Sequence, residues 1–176
     1  MVIFMEYVPP KGKKGKRVSI ILVAIACLGL IGASVLDVQY RLFYQLVAVG
    51  LYIFSFELLN RYHLTTFRYM VTPEDFVITK CMGKRVQTVC CLSLTTMLGI
   101  ERTPKTKEEK EAFLRVYGKP PIRYNYCQSL MPKTSYCILF DLNGRSAQIV
   151  FEGSEKMAQY LKNYICARKE SENELY

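Results

Sequence analysis

The chain has one histidine, His63, so it offers neither a histidine-cluster metal site nor a second histidine for acid–base work. Its seven cysteines, at 27, 81, 90, 91, 127, 137 and 166, are odd in number and include no C-x-x-C pair. That spacing argues against a disulfide framework, a zinc site or a redox motif, and for reduced thiols facing the cytosol. Cys90 and Cys91 are adjacent, and on a strand they point to opposite faces and cannot readily chelate together. A phosphate-cradling glycine loop is missing too, because Gly12-Lys13-Lys14-Gly15 sits in a basic tail and not between a strand and a helix. The carboxylates Asp75, Glu101, Asp141 and Glu152 are scattered, and turn and edge roles are expected for them. The residues therefore point to a non-enzymatic chain with no catalytic residue, metal or cofactor.

What the chain has in quantity is uncharged apolar sequence. Val18 to Leu36 is a run of 19 residues without a charge, and Leu42 to Leu59 is a run of 18 broken only by Glu57. A hydrocarbon core of about 30 Å needs about 20 apolar residues per helix, so each run is long enough to span. Spans at about 18–36 and 42–60, joined by the short link Asp37 to Arg41, predict a transmembrane α-helical hairpin over residues 18–60. Gly29 and Ala33 on the first span, and Ala48 and Gly50 on the second, are small enough to let the helices approach closely. A basic start, an apolar run and Gly32-Ala33-Ser34 also fit a secretory signal with a cleavage site. The run is long for such a signal, and the cleaved product would begin almost directly with another span, so the hairpin is preferred.

Charge orients the hairpin. The net charge of +9 divides into +4 over residues 1–17, −1 over 18–60 and +6 over 61–176. Lysine and arginine accumulate on cytoplasmic flanks, which predicts a multi-pass protein of the plasma membrane with both termini cytoplasmic. Tyr40, Phe43 and Tyr44 would mark the outer interface, and Phe54, Phe56 and Tyr62 the inner one. The basic tail, residues 1–17, carries Lys13, Lys14, Lys16 and Arg17, which either fix topology or rest on anionic headgroups at about 1 kcal/mol each. Its Pro9-Pro10 and glycines argue against a helix before Arg17. Glu57 and Arg61 are four residues apart, which predicts an ion pair on one helix face at the membrane edge. Nucleic acid is excluded as a partner, because the positive charge follows the membrane flank.

From residue 61 to 169 the texture becomes that of a folded cytoplasmic domain. Thr66 to Val71, Phe76 to Cys81, Arg85 to Leu92, Thr96 to Arg102, Ile122 to Gln128, Tyr136 to Asp141 and Ser146 to Phe151 read as about seven strands. Asn143-Gly144 is the best hairpin turn, since both residues tolerate positive φ. Thr106 and Glu109 have capping-box spacing for a short helix that Gly118 ends. That helix carries a narrow apolar stripe of Ala112, Phe113, Val116 and Tyr117. Ser154 is an N-cap for a final amphipathic helix with Met157, Leu161, Tyr164 and Ile165 on one face. Residues 170–176 read as a frayed acidic tail. The fold class is thus a membrane helical hairpin plus an α+β domain, a curled antiparallel sheet capped by a C-terminal helix.

Tyr69-Met-Val-Thr72 with Phe76-Val-Ile78, then Gly83 with Lys84-Arg85, Leu92-Ser-Leu94, Met97-Leu-Gly-Ile-Glu101 and Phe113-Leu-Arg-Val-Tyr-Gly118, give the chain a family likeness. It resembles the bacterial pleckstrin-homology-like (PH-like) membrane proteins in which two spans precede one such domain. The match consists of turn and core positions; the charged stretch Lys105 to Glu111 and the pair Cys90-Cys91 depart from it. The resemblance implies a membrane-tethered recognition domain without catalytic residues.

Three functions fit these features. The first is an adaptor that binds a protein partner through its domain at the cytoplasmic membrane face. The second is recognition of an anionic lipid headgroup by Lys80, Lys84 and Arg85 around a hairpin tip, as some eukaryotic pleckstrin-homology domains do. The third is an accessory subunit whose hairpin docks on a transporter or enzyme in the bilayer, with Glu57 as contact.

Overall fold

The computed structural model describes residues 3–10, 13–35 and 41–173; for Lys13, Lys14, Lys16, Ala33, Val35, Arg41, Glu172 and Asn173 it describes the backbone alone. The link expected at Asp37 to Arg41 therefore lies outside the described residues, apart from the backbone of Arg41, as does the end of the acidic tail. The order of elements is β1 (Met5–Tyr7), α1 (Lys13–Val35), α2 (Arg41–Leu59), β2 (Thr65–Val71), β3 (Asp75–Met82), β4 (Arg85–Ser93), β5 (Met97–Arg102), α3 (Lys107–Tyr117), β6 (Ile122–Asn125), β7 (Tyr136–Leu142), β8 (Arg145–Phe151) and α4 (Glu155–Asn173). A π-helical turn, Asn60–Leu64, carries α2 into β2.

α1 and α2 lie along each other in opposite directions. At one end a Cβ built on Gly15 would sit 2.6 Å from the Tyr62 ring, and further along one built on Gly29 would sit 3.8 Å from the Ala48 methyl. Small residues fill the seam: Ser19, Ala26, Ala48 and Ser55 are buried. Ile21, Leu28, Leu46, Ile53 and Phe54 point outward and are exposed. Small side chains at the seam let the two helices approach closely, and the large apolar ones are left outside it. Gly50, expected at the seam, has nothing within 4 Å of a built Cβ. α1 also starts at Lys13, earlier than the glycines suggested; Gly15 lies where the Tyr62 ring leaves no room for a side chain. Among the described residues one stretch, Leu42–Leu64, is long and apolar enough to cross a membrane; the apolar part of α1, Arg17–Gly32, is shorter. The expectation of two such helices is met by one.

The strands form two four-stranded sheets and not a single curled sheet of seven. One has the order β1-β2-β3-β4 and is antiparallel throughout; the other has the order β5-β7-β8-β6. β6 pairs with β8 in parallel, which corrects the all-antiparallel expectation. Nothing in this arrangement identifies a PH-like domain; what it defines is an α+β fold.

The N-terminal segment is no loose tail. Met5, Glu6 and Tyr7 pair with Val71, Met70 and Tyr69, so β1 extends the first sheet from across both helices. Met5 and Tyr7 pack on the core while Glu6 turns out to meet Arg68 at 3.2 Å. Three residues are too few for a period-two pattern to stand out in the sequence, which is why this strand is not legible there.

Local signals elsewhere hold. Asn143 has φ 54° and Gly144 φ 78°, as a type I′ hairpin turn requires. Thr106 Oγ1 accepts from Glu109 N, and the Glu109 carboxylate accepts from Thr106 N, so the capping box is formed. Met157 N donates to Ser154 Oγ at 3.2 Å, starting α4. From α4, Met157, Leu161 and Ile165 are buried with Tyr69, Phe76, Ile78, Ile138, Ile149 and Phe151 in one core. Burying a large apolar side chain contributes about 1.5–3 kcal/mol, so this cluster dominates the stability of the domain. Arg168, on α4, donates to the carbonyls of Leu94, Thr95 and Met97, tying the helix to the start of β5.

Candidate functional site

The junction between helices and domain is a buried polar knot. The Arg61 guanidinium, on the π-helical turn, donates from Nη2 to Cys127 O at 2.7 Å and from Nε to Gln128 O at 3.2 Å. Gln128 has no exposed surface. Its side chain donates to Arg61 O at 2.6 Å and Thr65 O at 3.1 Å, and accepts from Phe67 N at 3.1 Å. Its backbone N donates to the Glu152 carboxylate at 3.1 Å, and Ser129 N does the same at 3.3 Å. Tyr69 OH donates to Tyr126 O at 2.8 Å and accepts from Glu152 N. Tyr62 OH accepts from Leu130 N at 3.2 Å. Every donor and acceptor of the Gln128 side-chain amide except its second oxygen lone pair is thereby used, as burial requires.

Burial shapes the titration of this knot. Desolvation, with the nearby Glu152 charge, pushes the Cys127 thiol up to about 12. Desolvation also pushes the Tyr69 phenol well above its usual range. Both groups are held neutral at physiological pH.

The expected Glu57–Arg61 ion pair is not formed. Arg61 turns to the two carbonyls of the 127–128 loop, and the Glu57 side chain is exposed on α2. The i, i+4 spacing is right for a pair on one α-helical face, but at Asn60–Leu64 the helix widens and the carbonyl partners lie on the domain side.

The expected lipid-binding residues divide. Lys84 and Arg85 are exposed at the β3–β4 turn, with Gly83 at φ 59°. Lys80 is half-buried on β3, opposite Phe67 and Gln87. Arg17 is exposed; the side chains of Lys13, Lys14 and Lys16 lie outside the described residues. Cys90 packs against the core and Cys91 is exposed, on opposite faces of β4. His63 is half-buried in the π-helical turn.

A second feature is an open groove of about 590 Å³ between the end of β5 and α3. Phe113, Val116 and Tyr117 give it apolar walls, and Arg102, Lys105 and Glu109 a rim of both signs. Thr103 Oγ1, on its lining, is buried without a hydrogen-bond partner. Among the described residues no group of three or more histidine, cysteine or acidic side chains could hold a metal ion.

Sequence reasoning missed Gln128, the hydrogen bond of Tyr62, which it named only as an interface aromatic, and the buried role of Glu152. No periodicity marks them, since their partners lie more than twenty residues away in the chain for Glu152 and more than sixty for the other two. Compared with known proteins, the chain matches no family model and no curated protein.

Proposed function

We propose that this chain is a non-enzymatic, membrane-tethered recognition module. In this reading α1 and α2 cross the plasma membrane as a hairpin with both termini cytoplasmic, and the PH-like domain binds a protein partner. The observation that carries it is the knot of Arg61, Gln128 and Glu152. A domain bonded in this way to the end of its anchoring helix is held at one height and tilt above the bilayer, which suits a module that must meet a membrane-associated partner.

The two-pass topology is supported by β1 and β2. One strand precedes α1 and the other follows α2, and the two are neighbours in a sheet. The chain thus enters and leaves the helix pair on one side. The outward-facing isoleucine, leucine and phenylalanine side chains of both helices suit lipid. For the domain, the groove beside α3 is the place for a partner segment.

The test is a photo-crosslinking residue at Val116 in the full-length protein in its native membrane. A reproducible protein adduct is expected, absent when the probe is moved to Gln159 on α4. No adduct at Val116 would overturn the protein-partner reading.

A further inference from the structure

We propose that the end of the domain from which the helices emerge is itself a bilayer-embedding surface, taking anionic phospholipid. It rests on the membrane-anchor reading above and goes beyond it, because it makes lipid contact a property of the β-domain and not only of the helices.

Strand register carries the argument. Thr65, the first residue of β2, pairs with Met82, the last of β3. The β3–β4 tip therefore lies at the same end of the sheet as the exit from α2. The 127–130 loop is brought to that end as well, by Arg61 on Cys127 O and Tyr62 on Leu130 N. Around this end, large apolar side chains stand in the open: Leu64 is 53% exposed, Met82 46%, Val86 67%, Leu130 51% and Met131 92%. They come from three separate segments, and each could have been polar at no cost to the core.

Apolar side chains collected from separate loops around the base of a membrane-crossing helix suit the headgroup–acyl boundary. Continuity with Leu42–Leu64 puts that boundary beside them. Lys84 and Arg85 stand exposed between Met82 and Val86, matching anionic phosphates above and acyl chains below. The Arg61–Gln128 knot keeps the surface aimed at the membrane.

The chain has no tryptophan, so one introduced indole is a clean probe. Four full-length variants, Val86→Trp, Met131→Trp, Ile53→Trp and Glu74→Trp, go into nanodiscs of phosphatidylcholine and phosphatidylglycerol with brominated acyl chains. Ile53 is exposed in mid-α2, and Glu74 is exposed at the opposite end of the first sheet. Emission of Val86→Trp and Met131→Trp is expected to be blue-shifted and quenched by bromine, while Glu74→Trp stays water-like. Adding Lys84→Glu and Arg85→Glu to Val86→Trp, or omitting phosphatidylglycerol, is expected to weaken the quenching.

Quenching of Ile53→Trp alone would overturn the embedding surface and leave the anchor standing. Blue-shifted but unquenched indoles at 86 and 131 would mean that protein covers the patch, which also overturns it. An unquenched Ile53→Trp would overturn the anchor itself, and the inference with it. Quenching that ignores both lipid charge and the Lys84/Arg85 substitutions would overturn the anionic preference.

Discussion

Arg61 and Gln128 hold each other in both directions: the Arg61 guanidinium donates to the Gln128 carbonyl at 3.2 Å, and the Gln128 amide donates to the Arg61 carbonyl at 2.6 Å. Side chain answers backbone each way, so each residue is held both at its side chain and at its carbonyl. This pair is the hinge point at which a helix becomes a domain, and it is closed.

Gln128→Leu keeps the volume and removes the amide. Phe67 N, Thr65 O and Arg61 O then lose a partner, and each unsatisfied buried group costs about 1–3 kcal/mol. The expected loss is about 3 kcal/mol, seen as a melting temperature lower by roughly 6–12 °C for a protein of this size. Thermal unfolding of the purified protein in detergent checks it; an unchanged Tm would remove the knot from the account of rigidity.

Gly15 and Gly29 make opposite predictions on one helix. A methyl at Gly29 meets Ala48 at ordinary contact distance, so Gly29→Ala is expected to be neutral or to gain up to about 1 kcal/mol of helix propensity. A methyl at Gly15 collides with the Tyr62 ring, which Leu130 N holds by its hydroxyl. Gly15→Ala is expected to lower Tm despite the same propensity gain. Equal melting of the two variants would contradict the packing described.

Thiol chemistry should sort by burial. Cys166 is exposed and Cys127 and Cys137 are buried, so iodoacetamide at mild alkaline pH is expected to label the first and spare the other two until the protein unfolds. The linked pH effect has a fixed sign. Cys127 titrates at about 12 in the folded chain against an ordinary 9.0, so the folded state binds its proton more tightly. Its stabilising contribution is complete below about pH 9 and is lost as pH rises toward 12. Cys90, raised by burial to about 11, adds to the same alkaline fall. Melting curves between pH 8 and 12, with Cys127→Ala as comparison, measure its share as a shallower slope.

Gly144→Ala forces a Cβ into φ 78° and is expected to cost about 1 kcal/mol, through the β7–β8 turn alone. Gly50→Ala, in α2 with open space around it, is expected to cost nothing. Chemical unfolding midpoints of the two variants distinguish backbone strain from a general effect of losing glycine.

The sequence made legible what is encoded locally. The Thr106–Glu109 box, the Asn143-Gly144 turn and the Met157–Leu161–Ile165 stripe each depend on neighbours within a turn or two of chain, so spacing alone reveals them. β1, the partition into two sheets and the parallel β6–β8 pair depend on which distant strands meet, and alternation within one strand is silent on that. The junction was the least visible part. Glu57 and Arg61 have the spacing of a pair, yet Gln128 and Cys127 offer the Arg61 guanidinium two carbonyls in a closed pocket, and a lone glutamine in a loop carries no pattern that announces such a role.

The pairing of β1 with β2 has a consequence for how the protein is made. Met5–Tyr7 leaves the ribosome before either long helix, and its partner strand only after both. In the proposed two-pass arrangement the first sheet is complete only if the helix pair has inserted and returned to the side where it began. A chain in which only one of the two helices had crossed would strand β1 on the far side of the bilayer and leave the β2 edge bare. In that arrangement three residues of edge strand would register whether both helices had crossed, but not in which direction.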